Sequence, residues 1–115
     1  MSAWQGDIWW AQLEPPRGSE PGYRRPVVIV QGNTFNRSAL NTVVVVPVTA
    51  NLKRALGPGN VELTPRQSGL SKKSVAVVSG IRAMDRSWLT DRVGHLPKAK
   101  LELVLAGIDV MLGRQ

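Results

Sequence analysis

The apolar positions of this chain fall in short runs broken by glycine and proline, the pattern of strands and turns. Ile8 to Leu13 mixes aromatic and aliphatic residues and closes at Glu14-Pro15-Pro16. Val27 to Val30 and Val43 to Val46 are continuous β-branched runs, expected of strands covered on both faces or lining a small barrel. Pro47 has no N–H to give to a ladder, so it belongs near a strand end or edge. Gly57-Pro58-Gly59-Asn60 reads as a turn, after which Val61-Glu62-Leu63 alternates. Val75 to Val78 and Ile81 to Met84 are two more strands, and Ser79-Gly80 between them marks a bulge or a sharp bend.

Beyond Pro97 the period changes. Leu101, Val104, Leu105, Ile108 and Leu112 recur at three- and four-residue steps, with Lys98, Lys100 and Glu102 on the other side. This predicts an amphipathic helix opened by Pro97 and ended near Gly113. Asp85 is placed to cap a short helical turn over Arg86 to Thr90. The fold class is therefore mainly β: a small, strongly bent antiparallel sheet or barrel with a C-terminal amphipathic α-helix, in one domain spanning residues 1–115.

Charge adds a partner class. Fifteen Lys and Arg against eight Asp and Glu give a formal net charge of +7. Such a field attracts polyanions, nucleic acid first, and would equally suit an acidic protein; a generally basic surface with no polyanion partner fits it too. Cysteine is absent, which removes disulfides, thiolate metal sites and cysteine nucleophiles together and accords with a reducing cytoplasm. Gln5, Gly6 and Asp7 interrupt the first apolar stretch, so no signal peptide is expected. The apolar runs fall far short of the ~20 residues that span a bilayer. The sequence reads as soluble and cytoplasmic.

Elimination narrows the chemistry. His95 is the only histidine, so a pair of imidazoles within one chain is impossible, and its place between Gly94 and Leu96 on a strand argues for a structural role. The carboxylates are scattered without the spacing of a metal site, and no phosphate-binding or dinucleotide loop occurs. Neither a metal nor a cofactor is expected. What remains is arginine, hydroxyls and the segment Gly18-Ser19-Glu20-Pro21-Gly22-Tyr23-Arg24-Arg25-Pro26.

That segment carries a resemblance. Gly6-Asp7-Ile8-Trp9, Pro15-Pro16, Gly18-Ser19-Glu20 and Arg25-Pro26-Val27-Val28 follow one another in the order of the MazF/PemK family of toxins. Phe35-Asn36-Arg37, Val46-Pro47-Val48-Thr49, Gly69-Leu70 ahead of Ser74-Val75, and Ile81-Arg82 continue the match over nearly the whole chain. Each element is weak alone; the ordered set is specific. The resemblance implies an SH3-like barrel with a C-terminal helix, assembled as a homodimer. It also implies metal-independent, sequence-specific cleavage of single-stranded RNA to 2′,3′-cyclic phosphate and 5′-hydroxyl ends. A cognate antitoxin would block the RNA groove with an acidic, disordered tail.

The residues suit that reaction. RNA supplies its own 2′-hydroxyl nucleophile, so the protein must align the attack and stabilise charge on the phosphorane. Arg25 matches the family's catalytic arginine; a guanidinium holds two phosphate oxygens in fixed geometry but makes a poor general base. Thr49 matches the family's active-site threonine, where a hydroxyl would donate to the phosphate or orient Arg25; a strand-end threonine satisfying its own backbone is the plain alternative. Glu20 is the nearest candidate for accepting the 2′-hydroxyl proton, with a salt bridge to Arg24 or Arg25 as its other role. For RNA binding the candidates are Ser19 and Arg24 in the loop, Asn33, Asn36 and Arg37 after the second strand, and Lys53, Arg54, Lys72 and Lys73 as backbone contacts. Trp9, Trp10 and Trp88 are stacking candidates. Trp9 and Trp10 face opposite ways on one strand, so one of them is expected in the core.

The chain departs from the family at Ser79-Gly80, where many members carry an acidic residue followed by glutamine. A mechanism using that acid cannot operate here, which shifts weight to Arg25, Thr49 and Glu20. Two other readings stand beside this one. A same-fold toxin that binds DNA gyrase without catalysis relies on an apolar, aromatic C-terminal tail, and this sequence reads Leu112-Gly113-Arg114-Gln115. A non-catalytic SH3-like RNA-binding module explains the charge but leaves the Gly18–Pro26 and Thr49 pattern without a reason.

Overall fold

The computed structural model describes residues 2–14 and 23–114. Seven strands form one antiparallel sheet: β1 (Asp7–Gln12), β2 (Arg24–Ile29), β3 (Thr42–Thr49), β4 (Val61–Leu63), β5 (Ser74–Ala76), β6 (Arg82–Asp85) and β7 (Leu89–His95). Their order is β4-β5-β3-β2-β1-β7, with β6 also on β3. Among the described residues three α-helices lie between or after the strands: α1 (Asn33–Asn36), α2 (Pro65–Ser68) and α3 (Lys98–Met111).

The long strand β3 organises the rest. Its first half, Thr42 to Val45, pairs with β6, and its last two residues pair with β5. Pro47 falls at the change of partner. Its carbonyl accepts the Val77 N–H at 2.9 Å, and its missing N–H faces the same side, where neither neighbour requires it. The proline thus sits two residues from the end of β3, near the strand end as expected, at a break in the ladder. The Ser79-Gly80 bend is a 3-10 turn over Val78–Gly80 that folds onto this proline. A Cβ on Gly80 would stand 2.6 Å from Pro47 Cγ, so no side chain fits there.

The alternation of side chains splits the sheet into two cores. Trp9, Ala11, Val27, Ile29, Val43, Val45, Met84 and Leu89 gather on one face, drawn from β1, β2, β3, β6 and β7. One cluster from five successive strands requires the sheet to curl, giving the SH3-like half-barrel. Ile8, Val28, Val46, Val48, Leu63 and Val78 lie on the other face under α3, with Leu96 and Val104. Leu101, Leu105 and Ile108 pack against this second core, as their spacing predicts, whereas Leu112 lies past the helix end and is exposed. The positive φ of Gly113, +73°, follows directly. The helix meets the turn before β4 backbone to backbone: a Cβ on Gly107 would come within 2.0 Å of the Gly59 carbonyl oxygen.

Some elements depart from the pattern. Asp85 caps Ser87, but the turn stops at Trp88 and Thr90 belongs to β7. The short helices α1 and α2 carry too few apolar residues to show a period. Thr64 nevertheless opens α2 with a reciprocal capping box to Gln67. No helix is long and apolar enough to cross a membrane among the described residues.

Candidate active site

The strand register brings the chemistry together. Val27 stands opposite Pro47, Val28 opposite Val46 and Ile29 opposite Val45. Two residues beyond the last of these pairs, where β2 and β3 part, come Arg25 and Thr49. A pocket of about 390 Å³ opens at this parting. Arg24, Arg25, Thr49 and Lys72 line it among the expected residues, and Trp10, Pro26, Val48, Leu70 and Asn51 supply most of its remaining wall.

Each polar group has a local reason for its pose. The Arg25 guanidinium lies over the Tyr23 ring, 4.9 Å from its centroid, a contact that fixes a long side chain while leaving its donors free. Thr49 Oγ1 accepts the Asn51 N–H at 3.2 Å, so the backbone role is real, and it leaves the hydroxyl proton as a donor. Asn51 Oδ1 in turn caps the 3-10 turn Leu52–Leu56 through the Lys53 N–H, at 3.2 Å. Arg24 is held differently: its Nη2 reaches Asp91 Oδ2 at 2.6 Å and Thr90 Oγ1 at 3.3 Å, and its guanidinium carbon is 4.6 Å from the Trp10 ring centroid.

Other candidates lie elsewhere. Ser19 and Glu20 fall outside the described residues. Asn33, Asn36 and Arg37 follow the far end of β2 and do not line the pocket. Asn36 is buried, its amide giving to the Gln31 carbonyl at 2.8 Å and taking from Gln31 Nε2 at 3.0 Å. Asn33 Oδ1 accepts the Gln5 N–H at 2.7 Å, so these amides hold the β2–β3 connection together. Lys53 and Arg54 sit exposed on the 3-10 turn, and Lys73 pairs with Glu62 at 3.3 Å. Trp9 is in the core and Trp10 in the pocket. Trp88 is exposed beside Arg82. Sequence reasoning missed Asn51, Ser71 and Leu70 as lining residues. Only Asn51 left a trace, as a cap-forming residue two positions after Thr49.

His95 sits at the opposite end of β1 from Trp10, paired with Asp7. Asp7 is fully buried and receives His95 Nδ1 at 2.8 Å, the Trp4 N–H at 2.9 Å and Trp9 Nε1 at 3.4 Å, with Arg92 Nε also at 3.4 Å. Burial pushes the Asp7 carboxyl up, but the His95, Trp4 and Trp9 hydrogen bonds and the Arg92 charge outweigh it. The carboxyl therefore lies below its usual 3.8. This is a structural knot that joins β1 to β7. Among the described residues no three His, Cys, Asp or Glu side chains gather as a metal site.

The model of the PemK-like, MazF-like toxins of type II toxin–antitoxin systems matches residues 4–112. The chain belongs to this family. It is 39% identical over 108 residues to Endoribonuclease MazF6 of Mycobacterium tuberculosis, covering 94% of this chain and 95% of that one. Endoribonuclease EndoA of Bacillus subtilis is 33% identical over 108 residues, 94% and 92% of the two chains. Among solved structures, a mycobacterial endoribonuclease in complex with its cognate antitoxin superposes with a TM-score of 0.81 at 21% identity, covering 98% and 97%. A MazE–MazF crystal structure from Deinococcus radiodurans gives a TM-score of 0.79 at 25% identity over 100% and 99%. The curled sheet with its C-terminal helix is the fold of these MazF toxins.

Proposed function

We propose that this endoribonuclease of a toxin–antitoxin module cleaves single-stranded RNA at the Arg25–Thr49 pocket, without a metal ion. The observation that carries the reading is the meeting of Arg25, Thr49 and Lys72 around one cavity in a chain of this family. The RNA 2′-hydroxyl attacks the adjacent phosphorus; the new 2′-O–P bond forms as the P–O5′ bond breaks, and the leaving O5′ takes a proton from water, giving a 2′,3′-cyclic phosphate and a 5′-hydroxyl. Arg25 holds the non-bridging oxygens as they gain charge, and Thr49 donates its free proton to the same group. Glu20 is the candidate acceptor of the 2′-hydroxyl proton. Lys72 adds a fixed charge along the RNA backbone.

The same reading gives the protein its partners. It works in the cytoplasm as a homodimer, and a cognate antitoxin silences it by laying an acidic, disordered tail over the basic pocket. The test is incubation of the purified protein with single-stranded and duplex RNA in a metal chelator. Cleavage confined to the single strand is expected. Cleavage that appears only after Mg²⁺ is added contradicts the mechanism.

A further inference from the structure

Arg24 and Arg25 are neighbours in sequence and line the same pocket, yet the structure treats them differently. Arg25 rests on Tyr23 and has no carboxylate partner among the described residues. Arg24 is engaged on two sides. One face of its guanidinium covers the Trp10 ring at 4.6 Å, and its Nη2 is committed to β7 through Asp91 at 2.6 Å and Thr90 at 3.3 Å. Thr90 is itself fixed by donating from Oγ1 to the Trp10 carbonyl at 3.2 Å. The strand register explains the assembly: Trp10 is opposite both Pro26 on β2 and Asp91 on β7, so Arg24, two residues before Pro26, shares their face.

A guanidinium recognises phosphate through its edge and a nucleobase through its plane. In Arg24 the edge is tied at Nη2 by Asp91 and Thr90 and one plane is covered by Trp10, while the side chain stays 42% exposed. What it offers the pocket is its second plane. Asp91 also cancels one of two adjacent positive charges, so Arg25 and Lys72 supply the field for phosphate. We propose that the Trp10–Arg24 stack is a platform for an unpaired nucleobase of the RNA, and that Asp91 is the positioning residue that keeps Arg24 flat and unavailable to phosphate. This deepens, and rests on, the reading of the pocket as an RNA site.

The experiment measures binding of a single-stranded oligonucleotide carrying the mapped cleavage sequence, with 2′-deoxyribose at the scissile position, across a range of salt concentrations. Arg24→Ala is expected to weaken binding about tenfold with the slope of log K against log salt unchanged, and Arg24→Lys does not restore it. In cleavage assays the loss falls on KM rather than on kcat. Asp91→Asn frees the edge for phosphate and steepens the salt slope by about 0.7. A phosphate contact at Arg24 gives the reverse pattern: Arg24→Ala flattens the slope by about 0.7 and lysine rescues. That result, or an Asp91→Asn slope equal to that of the parent protein, overturns the platform. Cleavage by the parent protein and by Arg25→Ala, run in parallel, separates the two ideas. Lysine rescue at position 24 with cleavage lost in Arg25→Ala removes only the platform, whereas a parent protein that neither binds nor cuts RNA removes both.

Discussion

Arg25 lies across the ring of Tyr23, its guanidinium carbon 4.9 Å from the centroid, so the residue proposed to stabilise the phosphorane is held by an aromatic face. A face leaves every N–H of the fork available, which a carboxylate partner would not. Tyr23→Ala removes that support without touching the donors. Cleavage is expected to fall about tenfold, with Tyr23→Phe near the parent rate; the measurement is kcat/KM on a defined RNA. Equal losses in both variants would assign the work to the tyrosine hydroxyl instead.

Thr49 tests the second donor. Its oxygen accepts from the Asn51 N–H, so valine loses both that bond and the hydroxyl proton proposed to reach the substrate, while serine keeps both. Thr49→Val is expected to lower kcat about a hundredfold, the scale of losing one transition-state donor, and Thr49→Ser to stay within about fivefold. A rate for valine matching that of serine reduces Thr49 to a strand-end residue.

Asp7 predicts an acid limb of stability. Its carboxyl is depressed in the folded protein, so its contribution is fully present above the usual 3.8 and is lost as pH falls through the lower folded value. Asp7→Asn keeps the shape but loses the charge offered to His95 and Arg92, at a cost of about 2 kcal/mol. Denaturant unfolding between neutral pH and pH 3 checks it: the gap between the two proteins is expected to narrow in acid. A gap that stays constant with pH would mean that Asp7 acts by packing alone.

How far the sequence shows this site depends on which interactions are local. The β-branched runs, the period after Pro97 and the Arg25-Pro26 and Thr49 motifs are written in neighbouring residues, and the strands, α3 and the pocket follow them. The meeting of Arg25 and Thr49 at one pocket comes from the pairing of β2 with β3, whose last pair, Val27 and Pro47, lies two residues away. Asn51, Ser71 and Leu70 enter the pocket through loops; the capping character of Asn51 and the Gly69-Leu70 motif are local, but neither tells that these residues line a pocket. Asn36 illustrates the converse: an amide in a motif reads as a candidate for base recognition, yet it is buried among Gln31 and Asn33.

Gly80 and Gly107 show sequence choices made by contact. The Gly59 carbonyl oxygen stands where a Cβ of residue 107 would go, so Gly107→Ala must push α3 from the turn that precedes β4. A loss of about 2–3 kcal/mol and a melting point lower by on the order of 10 °C are expected by thermal unfolding. Gly80→Gln would set its Cβ 2.6 Å from Pro47 Cγ and is expected to destabilise without raising activity. A Gly107→Ala protein as stable as the parent would show that α3 is not seated by this backbone contact.

The most direct measurement is the chemical identity of the RNA ends produced in chelator by the parent protein and by Arg25→Ala. The account predicts 2′,3′-cyclic phosphate and 5′-hydroxyl ends from the parent. It predicts a loss of at least about a hundredfold in rate for Arg25→Ala with an unchanged unfolding curve. Products ending in 3′-hydroxyls, or cleavage undiminished in Arg25→Ala, would contradict it.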